Sequence, residues 1–212
     1  KLTGISRSNV YNGLASLVEH GAAYILEGTS TRYTAVGLSE FCENRLRYLQ
    51  RTKEELEKNG PQKQLPKEGY ITIEGNGHIR DKIHHMILSA EFRIYFSASG
   101  VFLEEWKDEI GVLVQQGKKV VLISEDGRIP FAEEQEMLEG IQLYLVPEGL
   151  YESGEEDRSA QIRLIIDSEY VLTGEIGGKA QDACLYSAQK NFVRVFKDAM
   201  RNEIELIRLR EI

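Results

Sequence analysis

Two hydrophobic rhythms divide this chain. From residue 10 to residue 18 apolar side chains recur three and four apart, at Val10, Leu14, Leu17 and Val18, which predicts a helix with that stripe buried. Thr3-Gly4-Ile5 reads as a tight turn before it, Ser6 as its N-cap, and Gly21 after Glu19-His20 as its C-terminal stop. The rhythm then shortens to Tyr24-Ile25-Leu26 and Thr31 to Val36 around the polar Glu27-Gly28-Thr29-Ser30, the pattern of a hairpin. Leu38 to Lys58 contains neither Pro nor Gly and is rich in helix formers, with Asn59-Gly60-Pro61 as its stop. Cys42, Leu49 and Leu56 fall seven apart on this second helix, Leu38 and Leu46 lie on nearly the same side, and Phe41 and Tyr48 flank them. Such a stripe suits a helix that pairs with its twin, although Lys53 interrupts it; packing on the chain's own C-terminal domain is the other use it allows.

Beyond residue 69 short apolar runs alternate with helical stretches. Strands are predicted at Tyr70 to Ile73, Arg93 to Ser97, Lys119 to Ser124, Gln142 to Val146, Gln161 to Asp167, Glu169 to Gly174 and Ala183 to Ser187. Helices are predicted at Gly77 to Ala90, with Ile79, Ile83, Met86 and Ile87 inward, and at Leu103 to Gln116, Glu133 to Glu139 and Gln189 to Leu206. Nearly all-apolar strands alternating with helices imply a mixed α/β sheet covered on both faces, so the chain as a whole is α/β, or α+β when its N-terminal part is included.

Composition narrows the class. The net charge of −8 argues against a protein that coats nucleic acid, but it is unevenly spread. Up to Gly37 the chain has Lys1, Arg7 and Arg32 against Glu19 and Glu27, residues 38 to 59 balance, and the acidic excess lies in the rest. A slightly basic end on an acidic body fits a small DNA contact attached to a domain with another task. No apolar run approaches the roughly 18 residues of a membrane span. Lys1 opens the chain without a leader, so it reads as an N-terminally trimmed, cytoplasmic protein. Cys42 and Cys184 stand far apart with no further Cys or His at metal spacing, and no metal or cofactor is implied.

The first predicted helix carries the candidate DNA contacts. Ser6, Arg7, Ser8, Asn9, Tyr11 and Asn12 offer short polar groups and one guanidinium at a helix start, where they can reach phosphates and base edges in a major groove. The hairpin adds Arg32. Helix followed at once by hairpin is the second half of a winged helix, although the same pair also serves plain packing. Gly4-Ile5-Ser6-Arg7-Ser8-Asn9-Val10-Tyr11, Leu14 to Gly21 and the Arg32-Tyr33 wing resemble the recognition helix and wing of TrmB-type transcription regulators. By that comparison the helices that precede the turn are absent here. The resemblance implies double-stranded DNA as a partner and a homodimer that presents two winged helices to a palindrome, held by Leu38, Cys42, Leu46, Leu49 and Leu56.

In the C-terminal part Gly75-Asn76-Gly77-His78-Ile79, Ala90 to Ser97, Gly117-Lys118-Lys119-Val120 and Ile165 to Gly174 are similar to the effector-binding domain of the same family, itself similar to half of a phospholipase-D sheet. Active enzymes of that kind carry His-x-Lys-x4-Asp on the strand before the turn. Counting back from Asp167 puts Ala160 at the nucleophile and Ile162 at the lysine, and a methyl group cannot attack phosphorus. Slipping the register to Gln161 and Arg163 still supplies no imidazole, so the chain is read as a non-enzyme. The sheet retains a place to bind: Ser97, Ser99 and Gly100 after one strand, and Thr173, Gly174 and Glu175 after another, could hold a small polar effector. The family resemblance implies a sugar. Equally, Ser97 and Ser99 can simply end a strand and Glu175 can face solvent.

Other features read plainly. Gly75-Asn76-Gly77 lacks full phosphate-loop spacing and serves as turn and cap. His84 and His85 point to different sides of one helix. Tyr151 to Asp157 is an acidic solvated loop, and the Gly-rich residues 176 to 180 could close over an effector. Phe102 and Trp106 read as core. The expected organisation is a partial winged helix over 1–37, a dimerisation helix over 38–60, a linker over 61–68 and a phospholipase-D-like effector domain over 69–212. The expected function is that of a ligand-responsive transcription regulator; the alternatives are a protein-interaction scaffold on an inactive sheet, or a residual phosphodiesterase.

Overall fold

The computed structural model describes residues 4–60, 69–147, 150, 160–177 and 181–210. The linker expected at 61–68, the acidic loop at 151–157 and residues 178–180 lie outside them. The chain divides into two compact units, one up to Lys63 and one from Gln64.

In the first unit α1 spans Arg7–Glu19 and is followed by the antiparallel pair β1, Ala23–Leu26, and β2, Arg32–Ala35, then by α2, Leu38–Asn59. Ser6 caps α1, its Oγ accepting the Asn9 N–H at 3.3 Å. Gly21 leaves the helix at φ +71°, a left-handed position that glycine adopts without strain. The expected buried stripe of α1 is not buried. Val10 and Leu17 are exposed, and Leu14 and Val18 are half-buried, because within this unit little besides the hairpin covers them. Ala23 and Val36 are the buried apolar residues among those described here.

In the second unit seven described strands form one mixed sheet. They are β3 (Ile71–Glu74), β4 (Arg93–Ala98), β5 (Lys119–Ser124), β6 (Ile141–Leu145), β7 (Gln161–Ile166), β8 (Tyr170–Glu175) and β9 (Ala183–Ser187), in the order β3-β9-β8-β7-β4-β5-β6. β4, β5 and β6 run parallel and the remaining pairs antiparallel. Helices α3 (Asn76–Ser89), α4 (Gly100–Glu104) and α5 (Lys107–Gln115) cover one face with Ile79, Ile83, Ile87, Leu103 and Ile110. On that face they meet Phe96, Leu122 and Leu164, and the short α6 (Gln135–Glu139) adds Met137 and Leu138 at its margin. Helix α7 (Lys190–Arg210) covers the other, packing Val193, Met200, Ile204 and Ile207 on Val121, Ile123, Ile165 and Val171. Burial on both faces explains the near-continuous apolar strands.

The helix expected over 103–116 is two helices. Ser99 accepts the Phe102 N–H to start α4, and the backbone leaves helical geometry at Trp106, φ −104° and ψ 19°. That break lets Phe102 and Trp106 both enter the core, 6.2 Å apart between ring centroids. Between β7 and β8 the chain reverses on Asp167 and Ser168, both with positive φ, as in the tight turns that match strand twist. The Asp167 carboxylate accepts N–H bonds from Glu91, Phe92 and Arg93 at 2.8 to 2.9 Å and so ties this turn to the start of β4. No helix among the described residues is long and apolar enough to cross a membrane.

Candidate functional site

On α1 the side chains of Ser6, Arg7, Ser8, Asn9, Tyr11 and Asn12 are all exposed, as is Arg32 on β2. At 100° per residue, Ser8, Asn9, Asn12 and Ser16 share the face opposite Leu14, whereas Arg7 and Tyr11 lie beside the Leu14–Val18 edge. The polar group expected to form one face therefore wraps about half of the helix. Tyr24 of the hairpin donates to Glu40 of α2 at 2.5 Å, which raises its pKa and anchors the wing to the second helix.

On α2 the expected stripe stands in the open. Leu38, Leu46, Leu49 and Leu56 are 79, 67, 61 and 64 % exposed, and Cys42 is exposed with them. Four leucines at that exposure along one side of a helix are an unsatisfied apolar surface.

The strand-end group in the second unit is more committed than its sequence suggests. Ser97, Arg163 and Thr173 sit in one row across β4, β7 and β8, and so project from the same face. Ser97 is fully buried, donates to Glu125 and accepts from Arg163 at 2.8 Å. The Arg163 guanidinium also contacts Glu125 and meets Glu203 of α7 at 2.7 Å. Burial opposes its charge, yet the two carboxylates outweigh that and raise its pKa. The Glu125 side chain is 1 % exposed, and its Oε2 and the Arg163 Nε are buried without a hydrogen-bond partner among the described residues. The cluster brings two carboxylates to one guanidinium inside the fold. Its warning in the sequence was Arg163, the one charged residue in the run Gln161 to Ile166.

Ser99 and Gly100 are likewise engaged. Ser99 caps α4, and the Gly100 N–H donates to Asp126 at 2.8 Å, where a Cβ would stand 2.8 Å from the Arg128 side chain. Burial works against ionisation of Asp126, but N–H donors from Gly100 and Arg128, with the Ser124 hydroxyl, hold its pKa low. Gly174 permits close approach of β9, since a Cβ there would lie 2.2 Å from the Ala183 carbonyl oxygen. Of the six residues expected to hold an effector, Thr173 and Glu175 remain half-buried with side chains not spent on a cap or cluster.

The positions compared with the phospholipase-type signature are Ala160, Ile162 and Asp167. Ile162 is buried in the core, and Asp167 is bound to three backbone amides. His84 is drawn to Glu109 at 2.9 Å. Among the described residues no cluster of three His, Cys, Asp or Glu is placed to hold a metal.

No protein-family profile matches the chain. It is 28 % identical over 127 residues to the uncharacterised protein YrhO of Bacillus subtilis, which covers 58 % of this chain and 46 % of that protein. The chain thus spans a little under half the length of this curated relative. NucT from Helicobacter pylori superposes on 65 % of this chain and 96 % of its own with a TM-score of 0.51 at 14 % identity, a likeness of fold. The archaeal chromatin protein TrmBL2 covers 94 % of this chain and 81 % of its own at 18 % identity, with a TM-score of 0.49. A phosphatidylserine synthase from Haemophilus influenzae Rd KW20 covers 91 % and 52 % at 15 % identity, with a TM-score of 0.45.

Proposed function

We propose that this chain is a dimeric DNA-binding transcription regulator of the TrmB type, acting in the cytoplasm, whose DNA affinity answers to a small polar ligand held by the C-terminal unit. The observation that carries the reading is the start of α1. Ser6 fixes the helix end, and Arg7, Ser8, Asn9 and Asn12 stand free in solvent beside a hairpin bearing Arg32. Short amide and hydroxyl side chains next to a guanidinium are the groups that read base edges and phosphates. The leucine stripe of α2 supplies a two-fold contact that would space two such helices on a palindrome. Thr173 and Glu175, beside the Arg163 cluster, are the side chains left to meet an effector such as a sugar. A ligand changes DNA affinity only by binding one arrangement of the dimer more tightly than another. No catalytic role is assigned, because neither an imidazole nor an ammonium stands before Asp167.

The test is DNA binding over a salt series, using the DNA upstream of the protein's own gene, with Arg7→Ala and Asn9→Ala beside the wild type. Specific binding should weaken with salt, Arg7→Ala should lower the salt slope by about one, and Asn9→Ala should cost roughly 1–3 kcal/mol at the cognate site. Equal, feeble binding to every duplex with no effect of either substitution would sink the reading. A second reading, a protein-interaction scaffold, draws on α7, where Val195, Leu206 and Leu209 are exposed along one side. A protein partner lost on Leu206→Glu, in a chain without sequence-specific DNA affinity, would favour it.

A further inference from the structure

Between α7 and the N-terminal half of the parallel strands lies a cleft of about 190 Å³. Its floor is apolar: Val121, Ile165, Met200 and Ile204 line it, all buried. Its rim is cationic. Lys119, Lys197, Arg201 and Arg208 surround the mouth against one lining carboxylate, Glu205. Glu205 is already taken by Arg208 at 3.2 Å, and Arg208 also donates to the Tyr144 hydroxyl at 2.7 Å with its guanidinium over that ring. Arg201 reaches Asp198 only at 3.7 Å. Lys119 and Lys197 have no carboxylate partner among the described residues.

In a chain of net charge −8, this concentration of positive charge over an apolar slot selects one class of ligand. A bare inorganic anion would satisfy the rim and leave the floor empty. A neutral polyol would set hydroxyls against Met200 and Ile204 without partners, at a desolvation cost. An apolar body bearing one negative group satisfies both, and the space is right for it, since an apolar cavity of about 150 Å³ accepts a benzene ring. We propose that this cleft binds a small organic anion, a ring-sized apolar body carrying a carboxylate or a phosphate. The Tyr95 and Tyr144 hydroxyls and the Gln142 amide orient the anionic end, and Lys119 and Lys197 compensate it. Met200 and Ile204 flank Glu203 on α7, so an occupant bears on the helix that reaches the Arg163 cluster.

The site stands apart from Thr173 and Glu175, and its test uses no DNA, so it can fail or succeed independently of the regulator reading. The full chain, labelled at Met and Ile methyls, is titrated with benzoate, phenyl phosphate, neutral benzamide and inorganic phosphate. Benzoate or phenyl phosphate should shift the Met200 and Ile204 methyls saturably, and the tighter of the two identifies the head group. Benzamide and inorganic phosphate should bind at least about tenfold more weakly. Lys119→Gln with Lys197→Gln should weaken the organic anion roughly tenfold, whereas Lys107→Gln, on another surface, should leave it unchanged. The benzoate–benzamide contrast is made on the unaltered protein, so poor folding of the double variant does not blunt it. No saturable shift with either organic anion, benzamide binding equal to benzoate, or an unaffected double variant would each overturn the assignment.

Discussion

Arg163 shows how burial changes the meaning of a single residue. Within the run Ile162 to Ile166 it interrupts an otherwise apolar pattern, yet its partners lie 38 and 40 positions away, at Glu125 and Glu203. No local rule brings those three together. The same distance hides the occupation of Ser97, which as a strand-ending hydroxyl reads as a free ligand group and is instead bonded to both Glu125 and Arg163. Removing the cation takes from Glu125, whose side chain is 1 % exposed, the guanidinium that compensates it. Arg163→Met should therefore cost roughly 3–5 kcal/mol of stability at neutral pH, measured by urea unfolding. Adding Glu125→Gln should recover much of it, because the buried charge at Glu125 is then gone. A loss below about 1 kcal/mol for the single variant would mean that water reaches the carboxylates and that the cluster is not sealed.

At the scale of elements the sequence was most legible where periodicity is strong. The predicted bounds of β5 and β9 match the observed ones, and those of the other strands differ by a residue at one or both ends. It was least legible where tertiary packing decides, as at Trp106, where a helix-like run is broken so that two rings enter the core. The β7–β8 turn was visible as a turn, but the three N–H bonds to Asp167 were not. Burial alone would raise that carboxyl's pKa; the amides of Glu91, Arg93 and Phe92, with the Lys118 charge, bring it below its ordinary value. A folded-state pKa below the unfolded one gives stability that is complete above the unfolded value and fades as pH falls through the folded one. Asp167→Asn should thus cost about 1 kcal/mol at pH 7, allowing for solvent screening, with the gap to wild type closing as the pH falls through the lowered folded-state pKa in a pH series of urea melts. The stripe of α2 makes a separate claim. If its leucines pair two chains, Leu46→Glu with Leu49→Glu should yield a monomer by sedimentation equilibrium, with the β-sheet signal in circular dichroism unchanged. An unchanged mass would remove the dimer contact from this helix.

Over the whole molecule the two units differ in what holds them. The second has apolar layers on both faces of its sheet. The first, among its described residues, buries only Ala23 and Val36 of its apolar side chains, while Val10, Leu17 and the α2 leucines face solvent. Its α1 is 13 residues long, near the lower limit at which an isolated helix persists in water. The units should therefore open at different free energies. In native-state hydrogen exchange, amides of β4, β5 and β7 should be protected to the global limit, whereas those of α1 and α2 should exchange orders of magnitude faster in dilute solution. Association supplies what burial does not. Anything that binds the folded unit stabilises it by mass action, so protection along α2 should rise with protein concentration, and protection at the start of α1 should rise when operator DNA is added. Protection in α1 and α2 that equals that of the sheet at the lowest concentration, and responds to neither addition, would show that the first unit is stable without a partner. The exposed leucines of α2 and polar face of α1 would then need another explanation than the pairing and DNA contacts proposed for them.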